Sequence, residues 1–312
     1  MRKKFLVTGG AGFIGSHLCE NLLNKGNEVI CFDNLSTGKL KNIEHIKNKV
    51  IFVKGDANSF NDLEVIFKEN KLSGVFHHAA IVGVKRTMES PVDVLNDIES
   101  ARNILNLALK YGKPKIIFAS SSEVYGEPVE IPELENGHIN AQIPYAVTKL
   151  YCEKLMSAYW QKYKLPTCSL RFFNVYGPRQ ESSDYGFVIG IFIKSVLRGM
   201  SPVIYGDGTQ TRDFVYIDDN VEASIKALES RTNGEVINIG TGRPTTILDL
   251  AEKIIALCGL KKNLKPKFIK HRDDVRHRFP DIGKMKNLLN FTSRYNLKSG
   301  LEKTINWYKK EI

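Results

Sequence analysis

The sequence predicts an α/β fold: a doubly wound parallel sheet followed by a second, smaller α/β domain. Three observations carry this prediction. Short β-rich runs alternate with amphipathic helical runs through the first half of the chain, a glycine cluster follows the first such run directly, and after about residue 175 the alternation loosens into segments punctuated by proline and glycine.

In chain order, the strand candidates are Lys4–Thr8, Glu28–Phe32, Val50–Val53, Gly74–His78, Lys115–Ser120 and Thr167–Phe172. Their apolar content suits strands buried on both faces, as in a parallel sheet covered by helices. Between the first two, Ile14, Leu18 and Leu22 recur at one-turn spacing, and Lys25-Gly26 ends the helix with a cation and a glycine. Later, Tyr176-Gly177-Pro178-Arg179, Tyr205-Gly206-Asp207-Gly208 and Gly240-Thr241-Gly242 mark turns. Residues 1–175 are therefore expected to form the first domain and residues 176–312 the second. One later β-rich run, Glu235–Ile239, is placed to rejoin the first sheet, which would return about 235–255 to the first domain. No repeat or low-complexity linker separates the two parts, so they should pack closely.

Of 312 residues 42% are hydrophobic, enough for a sizeable core. No run approaches the roughly 18 uncharged apolar residues of a membrane-spanning helix, and only Phe5-Leu6-Val7 precedes the glycine cluster; a cytoplasmic protein without a signal peptide is expected. The five cysteines (Cys19, Cys31, Cys152, Cys168 and Cys258) have no C-x-x-C spacing. They read as buried free thiols of a reducing compartment, against a disulfide framework or a metal site. Net charge is +11, from 45 Lys+Arg against 34 Asp+Glu, but the lysines are dispersed. Solvated faces with a general pull on anionic ligands fit this better than a nucleic-acid partner.

Thr8-Gly9-Gly10-Ala11-Gly12-Phe13-Ile14-Gly15 lies between the first strand and the first helix. Gly9, Gly12 and Gly15 free the turn, let the main chain approach a pyrophosphate and let the helix pack closely, while the helix start at Phe13 and Ile14 faces the phosphate charge. Asp33, at the end of the next strand and followed by Asn34, is placed to accept hydrogen bonds from the adenosine ribose and to repel a 2′-phosphate. The pattern predicts a Rossmann site for NAD rather than NADP. Asp56 reads equally as a contact to the adenine end or as part of a Gly-Asp turn. Ala79 and Ala80 close the fourth strand beside the same pocket.

Tyr145 and Lys149 stand at positions i and i+4 near a helix start, hence on one face. A phenol near pKa 10 needs a neighbouring cation to act as a base near neutral pH, and Lys149 with a positive nicotinamide supplies one. Ser120-Ser121-Ser122-Glu123-Val124-Tyr125-Gly126 follows the fifth strand, so its hydroxyls and carboxylate face the same crevice beyond the strand ends. His77-His78 is read as packing or pocket lining, because adjacent strand residues point to opposite faces and make a poor metal pair. Trp160 and Trp307 are read as core or interface anchors.

Together the glycine fingerprint, the Ser-Ser-Ser-Glu-Val-Tyr-Gly segment, Tyr145-x-x-x-Lys149 and Arg171-Phe172-Phe173-Asn174-Val175-Tyr176-Gly177-Pro178-Arg179 resemble the extended short-chain dehydrogenase/reductases. The closest likeness is to the NAD-dependent sugar-nucleotide epimerases and dehydratases, from about residue 3 to the carboxyl end. The resemblance implies that Tyr145 takes the proton of the sugar C4 hydroxyl as hydride passes to NAD, that Lys149 lowers the tyrosine pKa and holds the nicotinamide ribose, and that Ser121 bonds the C4 oxygen. It implies a substrate clamp of Asn174, Arg179, Arg212 and Arg276 on the nucleotide diphosphate, most readily that of a UDP-sugar. It also implies a homodimer through the helices at about Pro91–Tyr111 and Tyr145–Lys162.

Within the family the reaction divides after C4 oxidation. A 4-epimerase needs only Ser121, Tyr145 and Lys149. A 4,6-dehydratase adds a base matching Glu123 and commonly an aspartic acid where this chain has Ser122; a UDP-glucuronate decarboxylase also carries a glutamate there. Pro144-Tyr145-Ala146-Val147-Thr148 is nearer the epimerases, and a UDP-hexose 4-epimerase is the expectation. The alternatives are a dehydratase or decarboxylase using Glu123 and, in a different class, a non-catalytic NAD-binding protein.

Overall fold

The computed structural model describes residues 2–183, 186–259, 264–270 and 275–311, apart from the side chains of residues 84 and 85. Its first half runs β1 (Lys4–Thr8), α1 (Phe13–Asn24), β2 (Glu28–Asp33), β3 (Ile51–Lys54), α2 (Phe60–Glu69), β4 (Gly74–His77), α3 (Val84–Glu89), α4 (Pro91–Lys110), β5 (Lys115–Ser121), α5 (Pro144–Tyr163) and β6 (Thr167–Phe172). The second half adds β7 (Val175–Tyr176), α6 (Val188–Leu197), β8 (Val203–Tyr205), β9 (Thr211–Asp213), β10 (Val215–Tyr216), α7 (Ile217–Glu229), β11 (Glu235–Ile239), β12 (Pro244–Thr246), α8 (Ile247–Cys258), β13 (Lys267–Ile269), β14 (His277–Arg278), α9 (Gly283–Leu289) and α10 (Leu297–Glu311).

Seven strands form one parallel sheet in the order β11-β6-β5-β4-β1-β2-β3. This is the Rossmann order, and it reverses between β1 and β4, where a crevice opens beyond the strand ends. β11 lies along β6 from Glu235 opposite Cys168 to Ile239 opposite Phe172. The other strands make small sheets: β7 with β10, β12-β9-β14, and β8 with β13.

Local signals explain the helix boundaries. Ser59 caps α2 by accepting from the Asp62 amide at 3.3 Å, and Thr246 caps α8 through the Asp249 amide at 3.1 Å. Prolines open α4 and α5, where their missing amide costs nothing. Small shifts from expectation occur at element ends: β4 stops at His77, β3 runs to Lys54, and α5 starts one residue earlier, at Pro144.

One face of the sheet packs on α1 and α7 through Leu18, Leu22, Val221 and Ile225; the other packs on α2, α4 and α5 through Leu63, Phe67, Ile104, Leu105 and Met156. Truncating such a fully buried leucine to alanine costs about 2–5 kcal/mol. A polar thread crosses the sheet's second half. Arg171 on β6 makes a fork to Glu153 on α5 (Nε–Oε1 2.9 Å, Nη2–Oε2 2.8 Å), and the Ser120 hydroxyl on β5 donates to the same carboxylate at 2.5 Å. The Arg171 guanidinium also lies over the Tyr125 ring, whose hydroxyl donates to Asn238 Oδ1 on β11 at 2.7 Å.

Candidate active site

A cleft of about 1310 Å³ opens at the reversal of strand order. Its floor begins with the glycine loop. Gly9 has φ +67°, and a Cβ there would stand 2.8 Å from the Ala79 nitrogen; a Cβ on Gly15 would stand 2.1 Å from the Gly9 carbonyl oxygen. No side chain larger than hydrogen fits at either position. No side chain caps α1 at Gly12, so the amides of Phe13, Ile14 and Gly15, which have no partner within the helix, are presented where those residues line the cleft. The loop is thus a built anion cradle and fits a dinucleotide pyrophosphate.

Asp33 lies next along this wall, 7% exposed, with Oδ2 accepting from the Ala11 amide at 3.0 Å and Oδ1 from the Leu35 amide at 2.8 Å. Gly38 approaches the same carboxylate so closely that a Cβ would stand 2.6 Å from Oδ1. Asn34 accepts from the Ser36 amide at 3.0 Å and Asp56 from the Asn58 amide at 2.9 Å. Asp56 forms the turn and also lines the cleft. Ala79 and Ala80 complete this end.

At the other end stand Ser121, Ser122, Glu123, Tyr145 and Lys149. Ser121 caps the short 3-10 turn Ser122–Tyr125, its Oγ accepting from the Glu123 amide at 3.2 Å. Burial pushes the Tyr145 phenol above its ordinary range; the Ser121 hydroxyl opposes this, while Glu123 and Asp97 push it further up. In the chain alone the phenol is therefore neutral. Lys149 is buried, with Nζ donating to the Ala119 carbonyl at 2.8 Å and lying 5.5 Å from the Tyr145 ring centre. Burial lowers its pKa, and the nearby Asp97 carboxylate leads the groups that oppose the shift.

Of the four residues expected at the diphosphate, Asn174 and Arg179 line the cleft, and Arg212 and Arg276 lie outside it. Asn174 Nδ2 donates to the Asp213 carbonyl at 2.9 Å. Arg179 is held against α1 by Glu20 at 2.5 Å and by Ser16 Oγ at 3.3 Å. Arg212 is buried on β9 and donates to its neighbour's carbonyl, that of Thr211, at 2.8 Å. Arg276 is exposed beside a separate hollow of about 270 Å³ walled by Gly206, Asp207, Thr209 and Gln210. The Thr211 amide donates to the Arg276 carbonyl at 2.9 Å, which puts Arg276, just before β14, beside β9.

The two histidines are not a metal pair: His77 joins Thr8 Oγ1 at 2.8 Å and Ser100 Oγ at 3.1 Å, whereas His78 stacks on Phe172. Burial pushes both rings down to about 3. Trp160 packs over Gly234, but Trp307, read as an anchor, also borders the cleft beside Tyr308.

Two functional candidates were absent from the sequence reading. Arg278 is buried; its Nη1 pairs with Glu123 Oε1, its Nη2 donates to the Gly126 carbonyl at 2.9 Å, and its Nε lies 3.8 Å from Glu133. Both Glu133 oxygens are buried without a hydrogen-bond partner, and burial pushes that carboxyl up to about 8. Asp97 lines the cleft from α4 and accepts from the Ile81 amide at 2.7 Å. The only sequence signal for Asp97 was an acid set among the buried positions Val94, Ser100 and Ala101; Arg278 gave none.

Comparison with known proteins agrees with this geometry. Residues 5–240 match the model of the NAD dependent epimerase/dehydratase family. The chain is 38% identical to the UDP-N-acetyl-alpha-D-glucosaminuronate decarboxylase of Bacillus cytotoxicus over 99% of this chain and 98% of that protein. It superposes on the UDP-glucose 4-epimerase of Thermotoga maritima, solved with UDP-glucose, with a TM-score of 0.94 at 36% identity and 99% coverage of each chain. On the UDP-glucuronic acid 4-epimerase of Bacillus cereus, solved with UDP-glucuronic acid and NAD, the TM-score is 0.89 at 35% identity, covering 99% of this chain and all of the other. By fold, site and sequence, this chain belongs to the NAD dependent epimerase/dehydratase family.

Proposed function

We propose that the protein is an NAD-dependent 4-epimerase of a UDP-hexose. The observation that carries this reading is the meeting of Ser121, Tyr145 and Lys149 with the glycine loop and Asp33 in one cleft. The likeness to UDP-glucose and UDP-glucuronic acid 4-epimerases supports it. Gly9, Gly12 and Gly15 with the amides of α1 hold the pyrophosphate of NAD, and Asp33 holds the adenosine ribose. When bound, the nicotinamide accepts and returns the C4 hydrogen. Tyr145 takes and later returns the C4 hydroxyl proton, Ser121 holds that oxygen, and Lys149 supplies the positive charge that makes the phenolate accessible. Asn174 and Arg179, which line the cleft, hold the nucleotide diphosphate.

Incubation with NAD and UDP-glucose, followed by proton NMR and mass spectrometry, tests the proposal. UDP-galactose of unchanged mass is expected, and release of a 6-deoxy-4-keto sugar overturns the epimerase reading.

A second reading, decarboxylation of a UDP-uronic acid, is favoured by the buried Arg278 beside Glu123. Arg278 holds in place the glutamate that this reaction would use at the cleft, and the Bacillus cytotoxicus relative is a decarboxylase. Release of carbon dioxide from UDP-glucuronate or its N-acetylamino form decides for it. Dehydration is less well served: the Glu123 carboxylate is engaged by Arg278, and Ser122 brings no acid.

We further place the protein in the cytoplasm, on the basis of its five free, buried cysteines. Among the described residues no helix is long and apolar enough to cross a membrane. A homodimer would form through the outer faces of α4 and α5, which expose Leu95, Val147 and Tyr151; light scattering of a Val147→Glu variant, expected to be monomeric, tests this.

A further inference from the structure

Lys149 sits among groups that nearly all lack charge. From β4 it faces His77 and His78, both held neutral by burial; from its own helix it faces Tyr145, also neutral, and Cys152, whose thiol burial pushes up to about 12. Glu153, one turn along the same helix, is committed to Arg171, and Glu123, beyond Tyr145, is committed to Arg278. One carboxylate differs. Asp97, on α4, lines the cleft with Lys149, and among the described residues it makes no ion pair. The helices meet here: Thr148 Oγ1 donates to the Val94 carbonyl at 3.2 Å, one residue before Lys149 and one turn before Asp97. Lys149 directs one proton to Ala119, and an ammonium has three to place. Asp97 in turn accepts from the Ile81 amide, in the segment that follows Ala79 and Ala80 along the cofactor wall.

We infer that Asp97 is a positioning residue for this reaction, supplying the counter-charge that keeps Lys149 protonated in its buried site while tying the segment after β4 to α4. Its effect on Lys149 has a cost, because the same negative charge disfavours the Tyr145 phenolate. Asp97 therefore trades some acidity of the tyrosine for permanence of the lysine charge, and the trade suits an enzyme in which NAD adds the positive charge that the tyrosine needs. Burial raises the Asp97 carboxyl and Asp56 adds to this, while the Ile81 amide and Lys149 oppose it.

The inference rests on the roles given above to Tyr145 and Lys149, and its test separates the two. Asp97→Asn keeps an acceptor for Ile81 and removes only the charge. In the NAD complex of protein labelled with 13C-lysine, the Lys149 signal, assigned with Lys149→Arg, is titrated; its midpoint is expected to fall by about one unit in Asp97→Asn. The alkaline limb of kcat for UDP-glucose is expected to move down with it, with KM little changed. An unmoved midpoint overturns the inference, as does a uniform loss of kcat at every pH, which marks a purely structural role. Should Asp97→Asn not fold, Asp97→Ser is titrated in its place. If Tyr145→Phe retains full turnover, the catalytic reading fails, while the Lys149 titration still decides the role of Asp97.

Discussion

The guanidinium of Arg278, 155 positions along the chain from Glu123, pairs with that residue's carboxylate and stands with its other edge 3.8 Å from the buried Glu133. One cation thus serves two acids, one at the cleft and one behind it. The acid behind is incompletely satisfied.

That imbalance sets a pH dependence. Glu133 is raised from 4.5 to about 8 in the folded chain, so between those values the folded state holds a proton that the unfolded state releases. Its contribution to stability is full below about pH 4.5 and is lost as pH rises through about 8. Glu133→Gln should remove this slope and gain stability relative to the parent as pH rises. Urea midpoints of both proteins at pH 5 and pH 8 check it, and parallel changes would refute it.

Tyr145→Phe should lower epimerisation of UDP-glucose by about 100-fold or more, the usual scale of a lost acid–base group. Affinity for UDP-glucose, measured by calorimetry, should change little, because the ring remains and the hydroxyl acts in proton transfer.

Asp33→Ala removes the acceptor at the ribose wall and should weaken NAD binding by about tenfold or more. The preference against NADP should shrink at the same time. Fluorescence titrations with the two reduced cofactors measure both effects.

Arg171→Met leaves Glu153 charged and buried, 1% exposed at its side chain. A loss of about 3–5 kcal/mol is expected, and the double variant with Glu153→Leu should recover much of it. Chemical denaturation of the single and double variants tests the pair.

The cofactor half was legible because its chemistry is written in contiguous residues. Gly9 to Gly15 follow one strand, Asp33 ends the next, and Tyr145 and Lys149 share a helix turn, so local period and spacing sufficed. Strand placement was readable for the same reason, with β1, β6 and β11 lying where alternation and apolar runs put them. What stayed hidden were pairings across the fold. Arg278 beside Glu123 and Arg171 beside Glu153 join residues whose neighbours in sequence give no sign of the partner, and Asp97 reaches the cleft of Lys149 from another helix. The expectation that Lys149 with the nicotinamide brings the Tyr145 phenol down left out burial and two acids, neither adjacent in sequence, which act the other way.

The late return of β11 to the sheet bears on biosynthesis. A nascent chain released only as far as β6 has six of the seven strands, and the last of them shows a bare row of amides and carbonyls with an apolar flank. That edge stays open while the ribosome makes β7 to β10, α6 and α7. Until Ile239 emerges, the half-made protein carries a template for pairing with a neighbour, and translation pauses in this stretch would lengthen its exposure to misassembly.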